Sequence, residues 1–309
     1  MPAADAMQRV LVTGAGGQLG RYLRRSLVSR KIFGIGSTDR PGVDAVVDIR
    51  DADAVMDVVS AWRPDVVLHG AAWTDVDGAE RDPAGAQAVN VDGSRNVALA
   101  AKSVSARVIA VSSDFVFSGT KGSAYVESDR TDPVSVYGTT KRDAEIALMD
   151  VGGDVLIART AWLYGGAGKH FPRTVLTVLR DRGGIEVVDN EFGSPTFAGD
   201  LAEALVQLLD FDVSGVVHMA NAGRTSRFDL AREVAVAAGF PGEMVRPIST
   251  EAFLAKYPLP ARRPADSELA NIRGAQVGVS MRPWQDAVHA YVPGMAQELG
   301  LKSLANQGA

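Results

Sequence analysis

The stretch Arg9-Val-Leu-Val-Thr13-Gly14-Ala-Gly-Gly17-Gln-Leu-Gly20 lies near the start of the chain and sets its architecture. The first part is a short apolar run rich in β-branched residues, which is typical of a buried strand. Glycines at 14, 17 and 20 follow directly, and a helical pattern begins at Arg21. A glycine turn between a strand and a helix lets the backbone approach a pyrophosphate, which the helix N-terminus attracts. The stretch predicts a dinucleotide-binding loop, with an ordinary tight turn as the alternative.

Strand and helix patterns alternate from this stretch to about residue 165, and the pattern is less regular beyond it. Such alternation favours a parallel sheet covered by helices on both faces. We therefore predict an α/β fold with a Rossmann-type doubly wound parallel sheet and a smaller C-terminal substrate-binding region. Residues 1–165 form the predicted dinucleotide-binding domain, to which later segments return. Residues 166–309 form the mainly substrate-binding region.

Composition excludes several classes of protein. The 309 residues contain no cysteine, which rules out disulfides, thiolate nucleophiles and cysteine-ligated zinc. A net charge of −5 argues against a broad nucleic-acid or anionic-membrane surface. Apolar runs are shorter than the roughly 18 residues of a membrane span, and residues 1–8 lack the apolar segment of a signal peptide. We expect a cytoplasmic protein that binds neither nucleic acid nor membrane.

The end of the second predicted strand bears on the choice of cofactor. In an NAD-selective site an acidic residue at this point binds the ribose hydroxyls, whereas here the strand ends in Gly36-Ser37-Thr38-Asp39-Arg40. Ser37 and Arg40 suit a 2′-phosphate and Asp39 opposes one, with an ordinary solvated loop as the alternative for each residue taken singly. We expect NADPH as the cofactor, with NADH as the alternative.

Tyr137-Gly-Thr-Thr-Lys141 carries the predicted chemistry. Residues four apart on a helix lie on one face, and a nearby ammonium lowers the pKa of a phenol, which is otherwise about 10. A phenol tuned toward neutrality is a useful proton donor to a carbonyl oxygen. Ser113 ends an earlier strand, where a hydroxyl faces the ligand crevice of a parallel sheet. His69 lies in an apolar strand and is interpreted as a core histidine.

The order of glycine-rich loop, Ser113 and Tyr137-x-x-x-Lys141 resembles the extended short-chain dehydrogenase/reductase family over nearly the full chain. Finer motifs are similar to the dTDP-4-dehydrorhamnose reductase family within it: Thr13–Gly20, Ala71–Glu80, Ala88–Asn90, Ser112–Phe117, Arg159–Trp162, Phe192–Thr196 and Arg263-Pro264. The resemblance implies NAD(P)H-dependent reduction of the C4 keto group of a nucleotide-linked 4-keto-6-deoxysugar. The implied reaction converts dTDP-4-dehydro-L-rhamnose to dTDP-L-rhamnose.

The resemblance also implies roles for individual residues. The expected catalytic residues are Ser113, Tyr137 and Lys141, and the expected substrate-binding residues are Asp114, Phe115, Trp162 and Arg263. Expected cofactor contacts are Gly14, Gly17, Gln18, Leu19, Ser37, Arg40, Asp48, Ile49, Ala71, Ala72, Thr74, Asn90, Tyr137 and Lys141.

Two departures from the family pattern bear on substrate and assembly. Phe115 stands where the family usually has a tyrosine, so a related dTDP-hexose 4-ketoreductase or a dihydrostreptose-type synthase remains an alternative. Some family members have a carboxylate two residues after the glycine-rich loop that helps to hold Mg²⁺ between subunits, and Arg21-Tyr22 occupies that place here. We expect no metal and a monomer or weak homodimer. A non-catalytic NADP-binding regulatory subunit is a further alternative, although such chains typically lack part of the catalytic set.

Overall fold

A parallel sheet of seven strands forms the centre of the structure, a computed structural model that describes residues 7–301. Most of the segment 1–8, used above for the signal-peptide expectation, lies outside the described residues. Along the sheet the strands follow the order β11-β6-β5-β4-β1-β2-β3, and every neighbouring pair is parallel. Six of them reproduce the strand order of a classic dinucleotide-binding fold, with β11 added at one edge. The predicted Rossmann-type fold is confirmed.

The sheet strands and the short flanking strands have the following bounds: β1 Arg9–Thr13, β2 Lys31–Gly36, β3 Ala45–Val46, β4 Val66–His69, β5 Arg107–Ser113, β6 Val155–Thr160, β7 Leu163–Tyr164, β8 Ile185–Val188, β9 Phe192–Gly193, β10 Thr196–Phe197, β11 Gly215–His218, β12 Thr225–Ser226 and β13 Val245–Ile248. The short strands pair outside the main sheet as β7 with β10, β8 with β13 and β9 with β12.

The α-helices have the following bounds: α1 Gln18–Ser26, α2 Ala52–Trp62, α3 Val76–Arg81, α4 Pro83–Gln87, α5 Gly93–Ser103, α6 Val136–Val151, α7 Phe171–Arg182, α8 Ala198–Gln207, α9 Arg227–Ala237, α10 Thr250–Lys256, α11 Ile272–Gln276 and α12 Trp284–Glu298. None of the described helices combines the length and the apolar character that crossing a membrane requires.

Apolar side chains cover both faces of the sheet. On one face α1 and α8 pack on β1 and β4, and the cluster includes Leu23 and Leu205, both fully buried. On the other face α2 and α5 contribute Val59 and Val97. A third cluster joins α7, α9 and α12 in the C-terminal part. Helix α8 and strand β11 thus return to the dinucleotide-binding sheet from beyond residue 165.

Several local predictions differ from the structure. The residues at 46–49 predict a short strand, but the strand in the structure is only Ala45–Val46. The pattern from Ala84 to Lys102 predicts one long helix, which a π-helical turn at Ala88–Asp92 interrupts. Asp200 is a residue type that favours the N-cap of the helix predicted to follow it, but it lies in the first turn of α8, because the helix already begins at Ala198. The segment after Lys256 is irregular up to Asn271, as its prolines require.

Candidate active site

A cavity of about 760 Å³ runs along the carboxyl ends of the parallel strands, where ligands bind in this kind of sheet. It brings together the predicted glycine-rich loop and the predicted catalytic residues. The predicted site residues that line it are Gly14, Gly17, Gln18, Leu19, Ser37, Arg40, Asp48, Ile49, Ala71, Ala72, Thr74, Ser113, Tyr137 and Lys141.

The glycine-rich loop fits a dinucleotide pyrophosphate. Gly14 has a φ of +68°, which side chains rarely adopt, and a Cβ there would lie 2.9 Å from backbone atoms of Ala71. Gly17 is the N-cap of α1, and no side chain caps this helix end. The first N–H groups of α1 therefore face the cavity with the positive end of the helix dipole, which is what an anionic group requires.

Directly after β2, Ser37 and Arg40 line the cavity together with Thr38, whereas Asp39 is not among its lining residues. Arg50 also lines the cavity, and sequence reasoning missed it. The guanidinium of Arg50 lies 2.6 Å from a carboxylate oxygen of Asp48 and holds the pKa of that carboxyl below its usual range through hydrogen bonds. This end of the cavity carries two arginines, which suits a phosphate-bearing ribose.

Helix α6 presents Tyr137 and Lys141 to the cavity. The Ser135 side chain caps the helix by accepting a hydrogen bond from Gly138 N. The helix therefore begins at Val136, three residues after Pro133, which is a residue type typical of helix starts. A Cβ on Gly138 would lie 2.2 Å from the carbonyl oxygen of Phe115. The absence of a side chain at this position lets α6 approach the turn after β5 closely. Tyr137 packs edge-on against Phe115 there, with ring centroids 5.4 Å apart.

The pKa of Tyr137 differs from the sequence expectation. Burial raises it to about 12, with the Ser113 hydroxyl opposing this rise and the charge of Asp114 adding to it. The expectation that Lys141 lowers this pKa is therefore wrong for this structure, in which the Lys141 ammonium donates to the carbonyl oxygen of Val111 at 2.9 Å. The phenol stays protonated at neutral pH, which is the form that a proton donor needs.

Lys141 lies at the base of the cavity, next to the buried ion pair of Glu145 and Arg159. Burial lowers its pKa to about 8, and the nearby Glu145 carboxylate opposes that effect. Glu145 accepts two hydrogen bonds from Arg159, at 2.9 and 2.6 Å, and a third from Ser112. Glu145 follows Lys141 by one helical turn, a spacing that was available in the sequence but carried no distinctive motif.

Asn90 lies outside the cavity, contrary to the prediction of a cofactor contact. Its side chain is 1% exposed and accepts a hydrogen bond from Trp73 N at 2.8 Å. The same side chain donates to the hydroxyl of Thr140 at 2.9 Å. The π-helical turn at Ala88–Asp92 places this amide between the loop after β4 and helix α6, so Asn90 fixes the catalytic helix to the sheet.

Asp114 is also buried and does not line the cavity, although the resemblance implies that it contacts substrate. The residue is 1% exposed and accepts hydrogen bonds from the hydroxyls of Ser113, at 3.0 Å, and Ser267, at 2.6 Å. Burial raises the pKa of this carboxyl to about 6, and both serine hydroxyls oppose the rise. Asp114 therefore orients Ser113 and ties it to the 261–271 segment, whose Ser267 no motif indicated.

The other predicted substrate residues lie beside this network. The Arg263 guanidinium pairs with Asp77 at 2.8 Å and donates to the carbonyl oxygen of Ala261 at 3.0 Å. Trp162 has a φ of +45°, an uncommon backbone conformation for a large side chain that concentrates at functional sites. His69 is buried and hydrogen-bonded to Thr13 and Ser94, which confirms its interpretation as a core histidine.

The fold and the site define the class of extended short-chain dehydrogenases/reductases. One cavity combines a classic dinucleotide-binding sheet with its glycine-rich loop and a buried Tyr-x-x-x-Lys pair. Within that class a narrower assignment follows from sequence comparison. Residues 7–296 match the family model described as the RmlD substrate binding domain, and the chain belongs to this family. Similarity to individual dTDP-4-dehydrorhamnose reductases over most of the chain confirms the resemblance to that family.

The chain is 41% identical over 293 residues to a dTDP-4-dehydrorhamnose reductase of Mycolicibacterium smegmatis, covering 92% of this chain and 86% of that protein. It is 38% identical to one of Streptomyces griseus, with 94% and 95% covered. The crystal structure of the Bacillus anthracis dTDP-4-dehydrorhamnose reductase in complex with NADP superposes with a TM-score of 0.86 at 31% identity. That comparison covers 92% of this chain and 98% of the other.

Proposed function

We propose that this protein is an NADPH-dependent reductase of the C4 keto group of dTDP-4-dehydro-L-rhamnose and that its product is dTDP-L-rhamnose. The observation that carries the proposal is the single cavity that joins a pyrophosphate-binding loop to Ser113, Tyr137 and Lys141. Membership of the family and the names of its relatives supply the sugar nucleotide. Because all three catalytic candidates line the cavity, an enzyme is favoured over a non-catalytic regulatory subunit.

Bound NADPH supplies the hydride that reduces the keto carbon. Tyr137, protonated at neutral pH, donates its proton to the oxygen that becomes the alcohol. The Ser113 hydroxyl has one proton, which points to Asp114 in this structure and turns to the same oxygen, where negative charge develops, when substrate is bound. Phe115 N donates to the serine oxygen at 3.2 Å and keeps it in place. Lys141 provides a buried positive charge at the base of the cavity, and Glu145 supports its charged form.

A direct assay tests the proposal. NADPH oxidation is followed with dTDP-4-dehydro-L-rhamnose and, in parallel, with other nucleotide-linked 4-keto-6-deoxysugars, and NMR gives the stereochemistry of each product. The panel is needed because Phe115 lacks the phenol usual in the family. Fastest turnover of the rhamnose precursor supports the proposal. Faster reduction of a different hexose would assign the protein to antibiotic-sugar 4-ketoreductases, and no turnover of any sugar would contradict enzymatic function.

We expect Arg40→Ala to weaken NADPH binding more than NADH binding. Arg40 is exposed and lines the cavity beside Ser37, whereas Asp39 does not. The Asp48 carboxylate at this end of the cavity is paired with Arg50, so a 2′-phosphate meets the Arg40 cation. Losing one charge-assisted contact typically costs about 1.5–3 kcal/mol. Dissociation constants for both nucleotides measure this, with Arg63→Ala, an exposed arginine outside the cavity, as the matched control. Equal losses for NADH and NADPH would refute the assignment.

We also propose a cytoplasmic protein that acts without a metal, as a monomer or weak homodimer. Tyr22 stands at the family's carboxylate position, where its hydroxyl accepts a hydrogen bond from Gly166 N at 3.0 Å. No group of three or more metal-ligating side chains occurs within residues 7–301. Activity and sedimentation are expected to be unchanged by EDTA. Loss of a dimer or of turnover on chelation would contradict this.

A further inference from the structure

Arg227 is a largely buried cation whose side chain forms no hydrogen bond within residues 7–301. It is the first residue of α9, and its side chain is 20% exposed. The nearest carboxylate oxygen, on Glu191, lies 3.9 Å from its Nε, which is beyond hydrogen-bonding distance. Burial lowers the pKa of the guanidinium to about 10, so it remains charged at neutral pH. None of its nitrogens is among the buried atoms that lack a partner, so its five N–H donors remain open to solvent or to a ligand.

Two other arginines with buried side chains have direct acceptors in the protein, although one nitrogen of each, Arg107 Nε and Arg159 Nη1, has no hydrogen-bond partner. Arg159 forms two hydrogen bonds with the Glu145 carboxylate, and Arg107 donates to three backbone carbonyl oxygens. Arg227 is instead held by aromatic rings. Its Cζ lies 3.5 Å from the Trp162 ring centroid and 5.4 Å from that of Phe171. Stacking on a ring orients a guanidinium and leaves its edge N–H groups available for an anion.

The position of Arg227 indicates which anion it meets. Its charged neighbours are Glu191, Asp114 and Arg263; Asp114 bonds the catalytic candidate Ser113, and Arg263 belongs to the expected substrate loop. The pyrophosphate-fitting loop at Gly14 lines the main cavity, whereas Arg227 does not. Arg227 therefore lies beside the expected substrate residues Trp162 and Arg263, where the diphosphate of a nucleotide-linked sugar would have to be bound.

We propose that Arg227 is a further substrate-binding residue, which donates hydrogen bonds to the diphosphate of the nucleotide-linked sugar beside Arg263. The inference rests on the proposed function for the presence of a nucleoside diphosphate. Its physical basis is that a planar fork of donors matches phosphate oxygens in a way that a point charge does not. Arg263 already pairs with Asp77, so Arg227 is the less committed of the two cations.

Binding of dTDP alone, measured by calorimetry, tests the proposal. Arg227→Gln is expected to weaken dTDP binding roughly tenfold to hundredfold, the usual effect of losing a charge-assisted hydrogen bond. Arg227→Lys is expected to lie between this variant and the wild type. Arg232→Gln is the matched control, since it removes the same charge from an exposed position on the same helix. NADPH binding is expected to be unchanged in all three variants, which also verifies that they fold.

Thymidine, titrated by NMR, separates phosphate binding from a role in holding Trp162. A contact with the diphosphate predicts that Arg227→Gln leaves thymidine binding unchanged, and an equal loss for thymidine and dTDP would overturn the proposal. Unchanged dTDP affinity in Arg227→Gln would also overturn it, and Arg227→Lys decides in the same way if the glutamine variant does not fold. Failure of the wild type to bind dTDP would instead refute the nucleotide assignment in the proposed function, and this inference with it.

Discussion

Replacing Tyr137 by phenylalanine is expected to lower kcat by about 10²–10⁴-fold, the range that a positioned general acid contributes. The variant removes a single hydroxyl from a side chain that is 9% exposed and packed against Phe115. The ring is retained, so the packing of α6 and the cavity wall are preserved. KM for the sugar nucleotide and the dissociation constant for NADPH are expected to change little, because the lost interaction acts mainly in the transition state.

The matched control for this prediction is Tyr257→Phe, which removes the same hydroxyl from a side chain that is 54% exposed. It is expected to keep wild-type kinetics. Single-turnover measurements with NADPH and dTDP-4-dehydro-L-rhamnose isolate the chemical step from product release. A Tyr137→Phe enzyme with near-wild-type kcat would show that another group donates the proton, and Ser113 would be the next candidate.

The parts of this molecule that sequence predicted well depend on residues close together in the chain. The glycine turn at Gly14 and the Tyr137–Lys141 pair each lie within one supersecondary unit, where spacing fixes geometry. The alternation of apolar strands and helices likewise gave the parallel sheet. Such patterns predict local structure without knowledge of the tertiary fold, because the conformation of the neighbouring backbone determines which side chains meet.

The parts that sequence missed depend on distant residues. Ser267 and Asp114 are 153 positions apart, and Ser267 lies in an irregular segment that has no periodic pattern to read. Asp114 is buried in this contact, so the structure does not place it on the cavity wall, where sequence reasoning expected a substrate ligand. The π-helical turn around Asn90 is a similar case, because its Asn90 side chain is hydrogen-bonded to Trp73 and Thr140, contacts that the local sequence pattern does not indicate.

Arg159→Met is expected to destabilise the fold by about 3–5 kcal/mol, the usual cost of breaking a buried ion pair from one side. The side chains of Arg159 and Glu145 are 5% and 8% exposed, and the pair is bidentate. Methionine fills much of the same volume but leaves the Glu145 carboxylate buried with only the Ser112 hydroxyl as a hydrogen-bond donor. The free energy of unfolding, from denaturant titration, measures the loss. Arg180→Met, at an exposed pair with Asp181, is the control, and no measurable change is expected there.

The double variant Glu145→Leu with Arg159→Met distinguishes the loss of a charge partner from the loss of packing. Removing both ions eliminates the uncompensated charge, and replacing a buried pair by apolar side chains of similar volume is often neutral or stabilising. Most of the lost stability is therefore expected to return. The activity of the double variant is nevertheless expected to stay below that of the wild type at alkaline pH, because Glu145 supports the charged form of Lys141. Without Glu145 the pKa of Lys141 falls further below its usual value, so activity that needs the ammonium is lost at a lower pH. Two results together would show that the network acts through packing alone. The double variant would be as unstable as Arg159→Met, and its activity would decline at the same alkaline pH as that of the wild type.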